Sequence, residues 1–260
     1  MANSINTNYG ANIALQNLNA TSKLLETTQN RVNTGMKVSS AKDNGAIFAI
    51  ATNQRAEMSS LDSIKQSIQR GQSIVDVALA AGDTVVAALT EMKSLAVAIE
   101  ADGTTTSANY TALKADYDAL QTEITKAFSA ASFDGVNLWS ATATTSVKVG
   151  TGATDTYAIG VAAPANGTPA AVTAAGVDAA IKAVTANLAT FGTNSKSLDR
   201  QLTFVSKLQD ALETGVGNLV DADLAKESAK LTALQTKQQL GVQALSIANS
   251  SSQILLGLFR

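Results

Sequence analysis

The sequence predicts a mainly α protein, a long antiparallel helical bundle or coiled coil built from both chain ends, with a small β-hairpin region in the middle. Three observations carry that prediction. The last forty residues hold a heptad seam: Leu224, Leu231, Gln238, Leu245 and Ser252 on one line, and Leu234, Gly241, Ala248 and Leu255 on the other. The two prolines are Pro164 and Pro169, so residues 1–163 contain none to interrupt a helix. Between residues 145 and 159 the texture changes to short alternating pieces separated by glycine.

Residues 4–33 read as one amphipathic helix. Ala11, Leu18, Leu25 and Val32 recur every seven residues, with Leu15 placed on the same face. Gly35 is its stop signal. Residues 36–45 are turn and cap chemistry, with Ser39, Ser40, Asp43, Asn44 and Gly45. A longer helix follows and ends at Asp102-Gly103. Its seam lines are Leu61, Ile68, Val75, Gly82, Leu89, Ala96 and Ile64, Gly71, Ala78, Val85, Met92, Ile99. Each seam glycine costs about 1 kcal/mol against alanine, yet lets a neighbouring helix approach closely.

A third helix is expected over 107–130, buried along Tyr110, Leu113, Tyr117, Leu120, Ile124 and Phe128. Phe133-Asp134-Gly135 makes a turn. Thr145–Val149 and Thr156–Ile159 read as a hairpin, and Ala162–Pro169 as an exposed loop. A fourth helix covers about 176–214. Val177, Val184, Phe191, Leu198, Val205, Leu212 and Leu219 sit at heptad spacing, with Ile181, Leu188, Leu202 and Val216 as companions. The phase then breaks near Gly215, Gly217 and Asp221-Ala222-Asp223, which reads as a joint between two rods. The last helix would run about 60 Å at ~1.5 Å per residue. Its stripe is narrow, and such a helix is not stable alone in water. The two chain ends therefore look built to pair with each other or with copies of themselves. The expected domains are 1–43 plus 220–260, and 44–219 with the hairpin at about 136–175.

Composition removes most chemistry. The chain has no cysteine and no histidine, hence no thiol chemistry, no disulfide, few routes to a zinc site and no usual general base. No cofactor is expected. The net charge of −2 offers no basic patch for a nucleic acid. Asp221 and Asp223 read as helix-cap and first-turn acids. No cleavable signal peptide is expected, since the first charge is Lys23 and no apolar core follows it. Residues 254–259 are too short to span a membrane. Residues 1–22 and 238–259 carry no charged side chain and are rich in Asn, Gln, Ser and Thr. That pattern fits a hydrated, uncharged surface facing a shared interior.

Three stretches point to a family. Arg31-Val32-Asn33-Thr34-Gly35-Met36-Lys37-Val38-Ser39-Ser40-Ala41-Lys42-Asp43-Asn44-Gly45-Ala46 resembles the N-terminal block of bacterial flagellins. Phe133-Asp134-Gly135-Val136-Asn137-Leu138 is similar to their Phe-(Asn/Asp)-Gly-x-Asn-Leu segment, and Asp221-Ala222-Asp223-Leu224-Ala225 to the start of their C-terminal helix. The resemblance covers roughly 1–140 and 176–260, in the right order. It implies a short, non-enzymatic, self-polymerising subunit of the extracellular flagellar filament, whose two ends form an inner coiled coil around a narrow channel. It also implies export unfolded through the flagellar type III system, with the export apparatus, hook-junction and cap proteins as partners. A hook–filament junction protein, or another surface filament protein with the same terminal helices, is the alternative. A hydrolase grafted onto residues 141–176 is disfavoured, because that segment is short and poor in Asp, Glu and His.

On that resemblance the expected polymerisation interface is Leu15, Leu18, Leu25, Val32, Leu224, Leu231, Leu234, Leu245, Ala248 and Leu255. O-linked sugar is expected at Thr142, Thr144, Thr145, Ser146, Thr151 or Thr154, as in glycosylated flagellins. The stretch Thr90-Glu91-Met92-Lys93-Ser94-Leu95-Ala96-Val97 matches the family's receptor-facing Gln-Arg-Val-Arg-Glu-Leu-Ala-Val segment. Leu95 is kept, but Glu91 stands where that segment has its first arginine, so recognition by the flagellin-sensing Toll-like receptor is expected to be weak.

Overall fold

A computed structural model of the chain describes residues 8–140, 145–161, 164 and 167–258, with backbone alone for 251–258. Residues 4–7 of the expected first helix, Thr142, Thr144 and the side chain of Leu255 lie outside the described residues. The element order is α1 (Tyr9–Thr34), α2 (Gly45–Asp102), α3 (Ala108–Ala130), β1 (Thr145–Lys148), β2 (Thr156–Ile159), α4 (Ala174–Val220) and α5 (Leu224–Leu258). The chain forms two compact units. The first is Met1–Ala56 with Leu212–Arg260, and the second is Glu57–Ala211.

The second unit holds most of the core. Every residue of the two α2 seam lines from Leu61 to Ile99 is buried. α4 runs antiparallel to α2. Gln209 donates to Asp62 at 2.8 Å, Gln72 donates to Asp199, and Lys93 pairs with Asp178 at 2.7 Å. Val177, Val184, Phe191 and Leu198 are fully enclosed. The expected companions Ile181, Leu188 and Leu202 are only half-buried, because Ala180, Asn187 and Asn194 share the inner face. The Asn194 side-chain carbonyl accepts a hydrogen bond from the Tyr157 hydroxyl at 3.2 Å.

The seam glycines do admit close neighbours, though not only helices. A Cβ on Gly82 would stand 2.4 Å from Leu188 Cδ2 and 2.8 Å from Trp139 Cζ2, and one on Gly71 would stand 2.5 Å from Val147 Cγ2. Gly71 thus receives the hairpin, and Gly82 receives α4 and the Trp139 ring. β1 and β2 pair antiparallel, with Thr145 opposite Ile159 and Lys148 opposite Thr156.

The Phe133–Leu138 stretch gains a physical meaning. Asp134 (φ 50°) and Gly135 (φ 77°) are both left-handed, and Phe133 bridges Val136 across them. This is the turn chemistry that Asp-Gly favours. Asn137 then donates to the Phe128 carbonyl at the end of α3 (2.7 Å) and accepts from the Trp139 N–H (2.8 Å). One side chain thereby satisfies a helix terminus and aims Trp139 inward.

The α4 boundary differs from expectation. α4 does not stop near residue 214. It continues through Gly215 and Gly217 to Val220, and α5 begins at Leu224 instead of Asp221. Glycine lowers helix propensity by only about 1 kcal/mol, which packing overrides. What ends the helix is at residues 221–223, where the Ala222 N–H is diverted to the Gly35 carbonyl at 2.9 Å. α2 is long and apolar enough to cross a membrane, by length and composition. Its seam lines instead line the core of the second unit.

Candidate functional site

In the first unit α1 and α5 pack together along their seams. The Asn8 amide donates to the Ala248 carbonyl at 2.7 Å, Gly241 faces Leu18, and Arg31 pairs with Glu227 at 3.3 Å. Low numbers on α1 meet high numbers on α5, so the two helices are antiparallel. Asn8 also caps α1 by accepting from the Ala11 N–H. Asp223 caps α5 through the Lys226 N–H, as its reading as a cap residue anticipated.

On α1 the covered residues are Ala11, Ala14, Leu18, Thr21, Ser22, Leu25, Thr28, Arg31 and Val32. Leu15 was expected on this face, but it is exposed, and the line three residues after the first is Ala14, Thr21 and Thr28. Positions i+3 and i+4 both neighbour a seam residue, and here the small side chains take the inner place. Thr21 keeps its hydroxyl satisfied by donating to the Asn17 carbonyl at 2.8 Å. On α5 the covered residues are Glu227, Leu231, Leu234, Gln238, Gly241, Leu245 and Ala248, with Leu234 only 7% exposed. Leu224 is exposed. The structure therefore brings together Leu18, Leu25, Val32, Leu231, Leu234, Leu245 and Ala248, and leaves Leu15 and Leu224 outside.

A second apolar set lies on the outer faces of the pair, and the seam analysis missed it. Ile13, Leu24, Leu240, Val242 and Ile247 are exposed, Ile247 to 69% and Leu240 to 58%. Leu240, Val242 and Ile247 fall within the charge-free residues 238–259, and Ile13 within the charge-free residues 1–22. Off-seam aliphatics at the uncharged ends were the available signal. These side chains keep apolar surface in water after the pair has formed.

The loop after α1 is tied to the loop before α5. Lys37 and Val38 donate backbone N–H groups to the Val220 carbonyl at 2.6 and 3.3 Å, and Met36 bridges Asp221. Gly35, at φ 71°, ends α1 as expected. Asp43 Oδ2 gathers four donors, the N–H and hydroxyl of both Ser39 and Ser40, at 3.0–3.1 Å. The Ser40 and Ser39 backbone donors hold its carboxyl below the usual carboxylate value. Asn44 then caps α2 through the N–H groups of Ala46 and Ile47.

In the second unit Glu91 is exposed and Leu95 half-buried. They share a groove with Asp116 of α3. Of the expected sugar positions, half-buried Thr145 and exposed Ser146 are in β1, and Thr151 and Thr154 are exposed in the loop between the strands. No group of acidic residues able to hold a metal ion occurs among the described residues.

Comparison with known proteins is unambiguous. A family described as the bacterial flagellin N-terminal helical region matches residues 5–144, and the bacterial flagellin C-terminal helical region matches residues 174–259. The chain is 54% identical to flagellin FljM and 52% identical to flagellin FljO of Caulobacter vibrioides, each alignment covering 99% of both chains. A flagellin of Brucella melitensis is 36% identical, again over 99% of both chains. The chain therefore belongs to the bacterial flagellin family, whose members are non-enzymatic structural subunits that polymerise into the extracellular flagellar filament.

Proposed function

We propose that polymerisation runs through the outer faces of the α1–α5 pair, and that the seam residues serve it indirectly by holding the two helices in register. One observation carries this reading: Ile13, Leu15, Leu24, Leu224, Leu240, Val242 and Ile247 remain exposed after the pair has formed. Residues 1–43 with 220–260 then make the inner coiled-coil domain of the filament, and 44–219 the rod domain. Export through the flagellar type III apparatus, and contacts with hook-junction and cap proteins, complete the subunit's path. A charge-free lining of the inner channel would not hold a passing chain electrostatically. Thr151 and Thr154 are the accessible hydroxyls for O-linked sugar in the hairpin loop.

The test replaces Ile247 or Leu240 with aspartate. An unpaired charge in a dry interface costs several kcal/mol, and each ~1.4 kcal/mol is a tenfold change in affinity. The critical concentration for seeded polymerisation is expected to rise at least about tenfold, with the melting of the monomer unchanged. Filaments at the wild-type critical concentration from both variants would reject these faces as the contact.

Receptor recognition is a separate proposal. Glu91 replaces an arginine in the family's receptor-facing segment and is exposed, while Leu95 keeps some apolar contact. A receptor surface suited to arginine presents acidic or acceptor groups, so Glu91 meets like charge there. Weak activation of receptor-bearing reporter cells by monomer is expected, with a gain for Glu91→Arg. Full potency of the unmodified protein, or no gain from arginine, would show that Glu91 does not discriminate.

A further inference from the structure

We propose that the acidic groove between α2 and α3 receives Phe204, with its basic flanks Arg200 and Lys207, from a second copy of the chain. The groove has a volume of about 490 Å³ and is lined by Glu91, Ser94 and Leu95 of α2 and Asp116, Ala119 and Leu120 of α3. Leu95 and Leu120 are half-buried, and Glu91 and Asp116 are exposed beside them. The lysines next to these acids are engaged elsewhere. Lys93 pairs with Asp178 at 2.7 Å and Lys114 with Asp118 at 2.5 Å. The groove is therefore aliphatic with acidic flanks.

Phe204 is its complement. It lies on α4, belongs to neither seam line, and is 59% exposed beside fully buried Val205. Arg200 and Lys207 stand four residues before and three after it, on the same helical face, and both are exposed. A buried aromatic side chain removes roughly 150–250 Å² from water, so a ring left this open has much to gain from a partner. Its occupant is acidic and apolar, which describes the groove.

The same chain cannot supply both halves. The antiparallel pairing of Asp62 with Gln209, Gln72 with Asp199 and Lys93 with Asp178 puts Phe204 level with about residue 67 of α2. Glu91 lies some 24 residues further along that helix, roughly 36 Å at ~1.5 Å per residue. Knob and groove on one molecule, displaced along its helices, make a heterologous contact, the kind that builds an open helical array when its rotation does not close a ring. That is the contact an open filament needs. It lies apart from the α1–α5 pair, so it stands or falls independently of the polymerising faces proposed there.

Two charge-reversed chains test the pairing. One carries Glu91→Lys with Asp116→Lys, and the other Arg200→Glu with Lys207→Glu. Each alone brings like charges together, and the critical concentration of each is expected to rise about tenfold or more. Mixed one to one, the lysine groove meets the glutamate knob and the acidic groove meets the basic knob. The mixture is expected to polymerise within about threefold of wild type. Wild-type assembly by either chain alone, or no rescue on mixing, would overturn the proposal. A second measurement decides the matter if the charge variants fold poorly. The chain has no cysteine, so Leu95→Cys chains assembled with Arg200→Cys chains can be treated with a short bifunctional maleimide. A cross-linked dimer is expected from the mixture and not from either variant alone, and its absence from assembled filaments would also overturn the proposal. Variants Ile247→Asp and Leu240→Asp, run beside these, report separately on the α1–α5 faces.

Discussion

Trp139→Ala is expected to destabilise the second unit by about 3–5 kcal/mol, the range for removing a large aromatic from a core. Trp139 is 5% exposed. Its ring centroid lies 4.4 Å from that of Phe128 on α3 and 5.2 Å, edge-on, from that of Phe191 on α4. Its indole N–H donates to the Ala78 carbonyl of α2 at 2.9 Å. One side chain thus ties three helices together. Aromatic pairs of this geometry contribute about 0.5–1.5 kcal/mol each beyond the area they bury. The void would open against Gly82, which has no side chain to fill it. Trp139→Phe keeps most of the volume and loses the hydrogen bond, so a cost near 1–2 kcal/mol is expected, mostly from that bond and part of the lost ring. Chemical denaturation of monomer followed by circular dichroism measures both. A loss under 1 kcal/mol for the alanine variant would mean that Trp139 does not join the three helices energetically.

Trp139 also shows where the sequence stops being legible. The heptad lines of α2 could be read because the period is local, and every residue on them is buried. The hairpin could be read because alternation and flanking glycines are local too. What fills the gaps at Gly71 and Gly82 could not be read. Val147 and Trp139 come from 76 and 57 residues away along the chain, and only the packed structure pairs them. The same holds for the groove. Glu91 stood out as a departure from a motif, but Asp116 joins it only once α3 has packed at its particular register.

Other misses have a different cause. Leucine outranks alanine and threonine as a core residue, which puts Leu15 on the expected α1 seam, yet Ala14, Thr21 and Thr28 are the covered residues there, and Gly241 receives Leu18. The break in heptad phase places the joint over Gly215, Gly217 and Asp221-Ala222-Asp223, and the structure confines it to 221–223, with the helix continuing through both glycines. Propensity alone would have ended the helix at the glycines, and packing overrides it. The outer aliphatics Ile13, Leu24, Leu240, Val242 and Ile247 lie on none of the seam lines, so the seam periodicity does not single them out. In a subunit that polymerises, residues off the seam carry equal weight, since the seam is consumed within the chain.

Leu231→Asp is expected to abolish filament formation while leaving the second unit folded. Leu231 sits on the α5 seam, half-buried between Glu227 and Leu234, where α5 packs on α1. No lysine or arginine occupies the covered face of α1 opposite it except Arg31, which already pairs with Glu227. A carboxylate there loses part of its water without gaining a counter-ion, at a cost of a few kcal/mol. The pair has little to set against that. Its seams are narrow and include Thr21, Thr28, Gln238 and Gly241, and neither helix is stable alone in water. The helices should separate, and the outer faces that depend on their register should be lost together. At ~1.4 kcal/mol per tenfold, the critical concentration rises roughly a hundredfold or more. Residues 57–211 form their own compact unit, so their thermal melting should stay within about 0.5 kcal/mol of wild type. Leu231→Met, which conserves volume, should polymerise normally. Electron microscopy of seeded assembly, with calorimetry of the monomer, reads both halves of the expectation. Filaments of normal length from Leu231→Asp would mean that the α1–α5 seam is not what presents the polymerising faces, and melting of the second unit along with the first would mean that the two units do not fold independently.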